Sequence, residues 1–400
     1  MKIFHNDPIF DGQLLRILSA TYEQGSDITE AHSTTTRITP HDTESWYKEW
    51  NKTATRIEQV AAAALAKHHS QTAHEAFLRA SMYHRASGQF FIGNPDDKRT
   101  RAAFKNCETC FIEAMKLSTH HECERVSIPY KDTALPGYFL RPRTARRCVT
   151  LIINGGYDST KEECFFFSGA AALRRGFNVL LFDGPGQGLA LVEQNLITTH
   201  KWESVITPVV DYLYTRSDVD KSKIAAMGIS LGGYQVPRAA TKEKRLAAII
   251  ADPGQVDIGK RARARLPLPE TWRRVFPKDT SWAVVSLVST ILARMSADPS
   301  NGWTMRRIKH VHGLDNIVDM FEEMDKFKLN PAEITCPCFV SCAENDELAS
   351  DSWEFYERLG AQEKRFVRYK AADGGGEHCE AGNRSLFNGD CLDWLEELWS

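Results

Sequence analysis

The chain has little net charge and no long apolar run, and each absence excludes a class of function. Its 400 residues carry 50 Lys and Arg against 52 Asp and Glu, a formal charge of −2. No field of one sign is available to hold a polyanion, so nucleic acid is not an expected partner. The longest apolar stretch, Trp282 to Met295, is broken by Ser and too short to span a bilayer. It reads as a buried or lid helix, and no membrane association is expected. Met1 to Asp7 lack the apolar core of a secretory leader, which points to a cytoplasmic protein. Repeats and low-complexity tracts are missing too. The ten cysteines are scattered through apolar runs, as reduced core thiols are, with no framework spacing. Cys107-Glu108-Thr109-Cys110 has C-x-x-C spacing, but no second pair or histidine cluster follows, and Cys336-Pro337-Cys338 stands equally alone. No metal and no cofactor are expected. What is present, 42% hydrophobic and 26% charged residues, is ordinary globular composition suited to small-molecule work.

Periodicity divides the chain. Residues 1–121 read as a helical N-terminal region that contributes to a lid. Trp46, Trp50, Ala54, Ile57 and Val60 form one stripe of a helix ending near His68-His69. Thr72-Ala73-His74-Glu75 has the form of a capping box opening a second helix through Tyr83, and a third runs from Asp97 to Leu117. Short β-rich segments follow: Glu124 to Pro129, Gly137 to Leu140, Val149 to Ile153, Val179 to Phe182, Ile224 to Met227 and Ala247 to Ala251. A helix from Lys161 to Arg175 lies among them, and Phe339 to Cys342, Phe366 to Tyr369 and a helix from Leu386 to Trp399 close the chain. Strand alternating with helix specifies an α/β class with a mostly parallel, doubly wound sheet. Its core comprises residues 122–255 and 332–400. Residues 256–331 contain no obvious strand and read as a helical cap inserted over the sheet. Lys260, Arg261, Arg263 and Arg265 in that cap suit an anionic substrate or carrier group, or equally a solvated helix face.

The chemistry is carried by Gly228-Ile229-Ser230-Leu231-Gly232-Gly233, directly after an apolar strand and before a helix. A serine on such a sharp turn presents its hydroxyl, and the next N–H points at the reacting carbonyl. The pattern alone is weak, since chance produces it about once in several chains of this length. An acyl-transfer serine also needs a base, an acid to orient that base, and oxyanion donors. Asp346 lies on the loop after strand Phe339 to Cys342, with Glu344 and Glu347 as rivals for the acid. An acidic helix N-terminus before Ser350 is the bland alternative. His378 follows Gly374-Gly375-Gly376 after the last strand, and of thirteen histidines it alone holds that position. His68-His69 and His120-His121 read as surface residues at helix ends. The N–H of Leu231 is one oxyanion donor, and Asn154-Gly155-Gly156-Tyr157 offers the second through Tyr157 or Gly156. Ser159-Thr160-Lys161-Glu162 caps the next helix. Asp183-Gly184-Pro185-Gly186-Gln187-Gly188 lacks the G-x-G-x-x-G spacing of a dinucleotide loop and reads as a structural turn beside the elbow.

Four separated motifs agree in order: Gly155-Gly156-Tyr157-Asp158-Ser159-Thr160-Lys161-Glu162-Glu163, Asp183 to Gly188, the Ser230 elbow and Glu377-His378-Cys379. Together they resemble the α/β-hydrolases related to bacterial 2,6-dihydropseudooxynicotine hydrolase. The fungal polyketide-shortening hydrolases of melanin-pigment pathways are also similar. The likeness covers roughly residues 42 to 399, including Trp46, Trp50, Arg79 and Tyr83 in the helical region. It implies an α/β-hydrolase fold with its pocket between core and helical parts, and a Ser230, Asp346, His378 triad. It places Asp158, Arg79 and Tyr83 among the substrate-binding residues. The bacterial enzyme needs a Glu where this chain has Asp158, which would position a ketone or water, or merely cap the helix. The expected activity is cleavage of a C–C bond beside a ketone, or of an ester, in a polyketide-like or aryl-ketone small molecule of fungal secondary metabolism. The alternative is acyl transfer or ring closure on the same triad, with the basic cap residues meeting an acyl carrier protein. A non-catalytic binding module would not need all three triad residues. A homodimer is the expected assembly.

Overall fold

Strand–helix alternation after residue 121 produces one eight-stranded sheet in the computed structural model, which describes residues 7–143, 149–266, 268–298 and 302–400. Most of the N-terminal stretch read for a leader, residues 1–6, and Cys148 lie outside the described residues. The strands are β1 (His121–Tyr130), β2 (Thr133–Pro142), β3 (Thr150–Asn154), β4 (Asn178–Phe182), β5 (Ile224–Ile229), β6 (Ala248–Asp252), β7 (Cys338–Ala343) and β8 (Lys364–Tyr369). Their order is β1-β2-β4-β3-β5-β6-β7-β8. β1 with β2 and β2 with β4 pair antiparallel, and the other neighbours run parallel. Every residue of β3, β4, β5 and β6 is buried, because helices cover both faces. Alternate side chains feed two cores: Leu151, Ile153, Ala225 and Met227 join one, and Ile152, Ile224 and Ala226 the other.

The N-terminal helices pack on the first of these faces. They are α1 (Pro8–Ser19), α2 (Ile28–Thr35), α3 (Thr43–Ala66), α4 (Ser70–Gly88) and α5 (Lys98–Leu117). Asp7, Asp27, Asp42 and Asp97 each cap a helix start, their carboxylates accepting N–H groups of the first turn. Trp46, Trp50, Ala54 and Ile57 are buried as their spacing requires, but Val60 is 41% exposed and the stripe continues through Ala61 and Ala64. A four-residue step from Ile57, not a three-residue one, keeps to the buried side. The capping box at Thr72 does not form: α4 begins at Ser70, after His69, which makes no side-chain cap. His121 is not a surface residue either. Its half-buried ring packs against Phe165, and burial lowers its pKa to about 4. The helix foreseen over 161–175 is interrupted by one π-helical turn, Phe165–Gly169.

The insertion after β6 forms a cap of helices Ile258–Ala264, Glu270–Val275, Trp282–Ala297, Trp303–His312 and Met320–Met324. Its neck is pinned by an antiparallel bridge between Asp257 and Lys328, beside a Leu329 N–H to Val256 carbonyl bond of 3.1 Å. Phe276, Val288, Leu292 and Phe321 give the cap a small core of its own. Helix Trp282–Ala297 buries only Val288 and Leu292, so it is an exposed helix of the cap rather than a buried core helix. No helix among the described residues is long and apolar enough to cross a membrane. The nine described cysteines are all free thiols.

Candidate active site

β5 delivers Ser230 to the C-terminal edge of the sheet with φ of 60°. That left-handed conformation is strained for serine and is held by a short bond from the Ser230 N–H to the Asp252 carbonyl, 2.6 Å. The turn is possible because Gly228 has no side chain: a Cβ there would strike the carbonyl of Gly232. His378 Nε2 lies 2.8 Å from Ser230 Oγ, and His378 Nδ1 lies 2.7 Å from Asp346 Oδ2. The other Asp346 oxygen accepts the Leu348 N–H at 2.9 Å, which fixes the carboxylate. An Asn345 N–H to Gly376 carbonyl bond of 2.8 Å ties the acid's loop to the glycine loop carrying the histidine. The rival acids go elsewhere. Glu344 accepts the Ala371 N–H at 2.8 Å, and exposed Glu347 pairs with Arg265 at 2.7 Å.

Electrostatics follow from this placement. Burial pulls the His378 pKa down, but the charge of Asp346 and its hydrogen bond outweigh that and raise it above the ordinary 6.5. Burial pushes Asp346 up, yet His378 and the Leu348 N–H hold it below the usual carboxylate range. The pair is therefore built to stabilise an imidazolium. Below it, Asp252 at the end of β6 accepts Ser341 Oγ at 2.9 Å and Arg384 Nη1 at 2.6 Å. This buried ion pair supports the strand end that holds the Ser230 amide.

Of the oxyanion donors expected from the sequence, Leu231 and Tyr157 retain N–H groups that donate to no group among the described residues. Gly156 does not, since its N–H donates to Ser159 Oγ at 2.9 Å. Its contribution is clearance: a Cβ on Gly156 would lie 2.6 Å from the Cβ of Ser230. The loop is held by Gln187, whose amide nitrogen donates to the carbonyls of Gly155 and Gly156 at 2.8 and 2.9 Å. The Asp183 to Gly188 turn thus braces the Gly155–Tyr157 loop. Thr160 caps the next helix, as its sequence suggests.

Above Ser230 lies a cavity of about 390 Å³. Core, cap and α1 all line it, with Leu15, Ile258, Trp303, Met324 and Phe327 supplying apolar wall. Asp158 lines it too, but one oxygen is fully engaged. Its Oδ2 accepts Arg16 and Arg307 at 2.9 Å each, and also the side-chain amide of Gln89. Burial would raise its pKa, but Arg16 and Arg307 hold it well below the usual range, so it is ionised.

Arg79 and Tyr83 are not brought to the cavity. Arg79 pairs with Glu30 at 3.1 Å, and the buried Tyr83 hydroxyl meets Glu30 and the Asp27 N–H. They bind α2 to α4, because their side chains leave the face of α4 turned away from Ser230. The basic stretch is also divided. Arg261 lines the cavity and donates to the Leu348 carbonyl at 2.9 Å, Arg263 pairs with Asp325, and only Lys260 and Arg265 face outward. Sequence reading missed Arg16 on α1 and the cap face Trp303, Arg307, Ile308 and His312. Their i, i+4, i+5, i+9 spacing was the available signal. Among the described residues, Glu58, His84 and Cys110 hold ligand-type atoms within 4.8 Å, but inside the helical region and off this cavity. A Glu58–His84 hydrogen bond of 2.9 Å accounts for that pair.

Residues 151–382 match the model of the alpha/beta hydrolase family. The chain belongs to the α/β-hydrolase family. Among its relatives is 20-hydroxy-prefusarin hydrolase FUS2 of Gibberella moniliformis, 30% identical over 100% of this chain and 98% of that protein. Hydrolase acrC of Aspergillus aculeatus is 29% identical over 98% of this chain and 97% of its own length. In fold the chain resembles 2,6-dihydroxy-pseudo-oxynicotine hydrolase, at TM-score 0.73 and 22% identity over 94% of each chain. The foreseen fold, a mostly parallel sheet with a helical N-terminal region, is the observed one. The sequence similarity to these fungal relatives runs along nearly the whole length of the chain.

Proposed function

We propose that this α/β-hydrolase acts on a largely apolar, oxygenated small molecule of the polyketide or aryl-ketone kind, through an acyl-enzyme at Ser230. The carrying observation is the unbroken relay from Ser230 Oγ through His378 to Asp346, opening on a cavity walled by core, cap and α1. Ser230 attacks an ester or ketone carbonyl while His378 Nε2 takes its proton, and Asp346 holds the Nδ1–H of the resulting imidazolium. The N–H groups of Leu231 and Tyr157 receive the oxyanion. Collapse expels an alkoxide, or for a ketone an enolate-stabilised carbanion, and the imidazolium returns the proton to it. Water activated by His378 then releases the acid. The family match and fungal hydrolase relatives support hydrolysis, and the apolar wall supports the substrate class.

The test is Ser230→Ala with hydrolysis followed in isotopically labelled water. Turnover is expected to fall by at least ~10³-fold, and wild-type product acid is expected to carry one solvent oxygen. Turnover at the parent rate contradicts the covalent route. Unlabelled product points instead to acyl transfer or ring closure on the same serine.

A further inference from the structure

The cap helix Trp303–His312 turns one face to the cavity, and most polar groups on that face are satisfied. Trp303 Nε1 donates to the Gln89 carbonyl at 3.0 Å, and Arg307 holds Asp158. His312 differs. It is 5% exposed, and neither ring nitrogen has a hydrogen-bond partner among the described residues. The hydroxyl of Tyr157 is likewise buried and unpartnered. The two rings lie together, centroids 5.5 Å apart at 31°, with Phe327 edge-on to His312 at 5.3 Å. Burial lowers the imidazole pKa to about 4, so near neutral pH the ring keeps one N–H donor and one lone pair. Buried polar groups are nearly always paired, and an orphan needs a reason. A purely structural aromatic at this position would be served by Phe, which costs nothing in unmet hydrogen bonds. Among the described residues neither finds a partner, and both residues line the cavity where one would enter.

We propose that His312, with the Tyr157 hydroxyl, is the recognition point for a second oxygen of the substrate, a carbonyl, enol or hydroxyl away from the carbonyl attacked by Ser230. The inference rests on the hydrolase reading above and narrows its substrate class to polyoxygenated acyl groups. Two unmet hydrogen-bonding side chains in an apolar wall discriminate strongly, because a substrate lacking the oxygen leaves them unpaired.

The experiment compares kcat/KM for para-nitrophenyl hexanoate with its mono-oxo counterparts, the ketone placed at successive chain positions. Wild type is expected to prefer at least one oxo ester over hexanoate. His312→Phe is expected to lower that preference ratio by about 10- to 100-fold, the effect of leaving one such partner unmade. His312→Gln, which keeps a donor and an acceptor, is expected to restore part of it. A ratio unchanged in His312→Phe, with both esters affected equally, assigns the ring to packing and overturns the proposal. So does a wild type without preference for any oxo ester. If wild type shows no Ser230-dependent hydrolysis of any of these esters, the hydrolase reading falls and takes this inference with it. Ser230-dependent hydrolysis with an unmoved ratio removes only the role of His312.

Discussion

At the scale of single residues the site is a set of tight clearances and matched charges. His378 must be neutral to accept the Ser230 proton, and its pKa is raised above 6.5 because Asp346 outweighs burial. Activity should therefore disappear as pH falls through that raised value. A kcat/KM profile for wild type is expected to show an acid limb centred above 6.5. Asp346→Asn removes the charge that raises it, so the residual activity should have its acid limb at lower pH. A limb that does not move would assign the titration to another group. Gly156 makes a second case. A methyl there meets the Ser230 Cβ at 2.6 Å, so Gly156→Ala should fold, by circular dichroism and thermal melting, while turnover falls by about 10²-fold or more.

At the scale of elements, the parts that were legible in sequence are those fixed by local rules. Strand–turn–helix around Ser230, the Thr160 cap and the apolar runs of β3 to β6 each depend on neighbours in sequence. The order of Ser230, Asp346 and His378 made the proposed triad readable, and the structure brings the three side chains into one hydrogen-bonded chain. What stayed hidden depends on how distant elements dock. Nothing local shows that Arg16 of α1 reaches the oxyanion loop, or that Arg79 and Tyr83 turn toward α2 instead of the cavity. Gly156 looked like a donor because only the fold reveals that Ser159 Oγ consumes its N–H. The cap helix Trp303–His312 is the element whose docking matters most. Trp303 is buried, edge-on to Phe90 at 5.1 Å, and bonded to Gln89. Trp303→Ala should cost about 3–5 kcal/mol in denaturant unfolding and speed proteolysis within the cap. An unchanged midpoint would mean that the cap is held by other contacts.

At the scale of the whole molecule, three parts meet at one carboxylate. Asp158 follows the Gly155–Tyr157 loop and accepts Arg16 from α1, Gln89 from the turn after α4 and Arg307 from the cap. An ionised acid saturated in this way on one oxygen serves as a junction between the three parts. Asp158→Asn takes the carboxylate from Arg307, while Arg16 keeps Glu163 at 2.6 Å, and it should lower unfolding free energy by about 3 kcal/mol. The Ser230 hydroxyl should nevertheless remain reactive. A variant with full stability but no chemistry would instead make Asp158 a participant in the reaction. We infer that Ser230, activated by His378, is the covalent nucleophile of this site. Peptide mapping by mass spectrometry after exposure to a fluorophosphonate probe tests it most directly. A single adduct on Ser230, absent in Ser230→Ala and strongly slowed in His378→Ala, is the predicted result. An adduct on another residue, or equal labelling of Ser230→Ala, would contradict it.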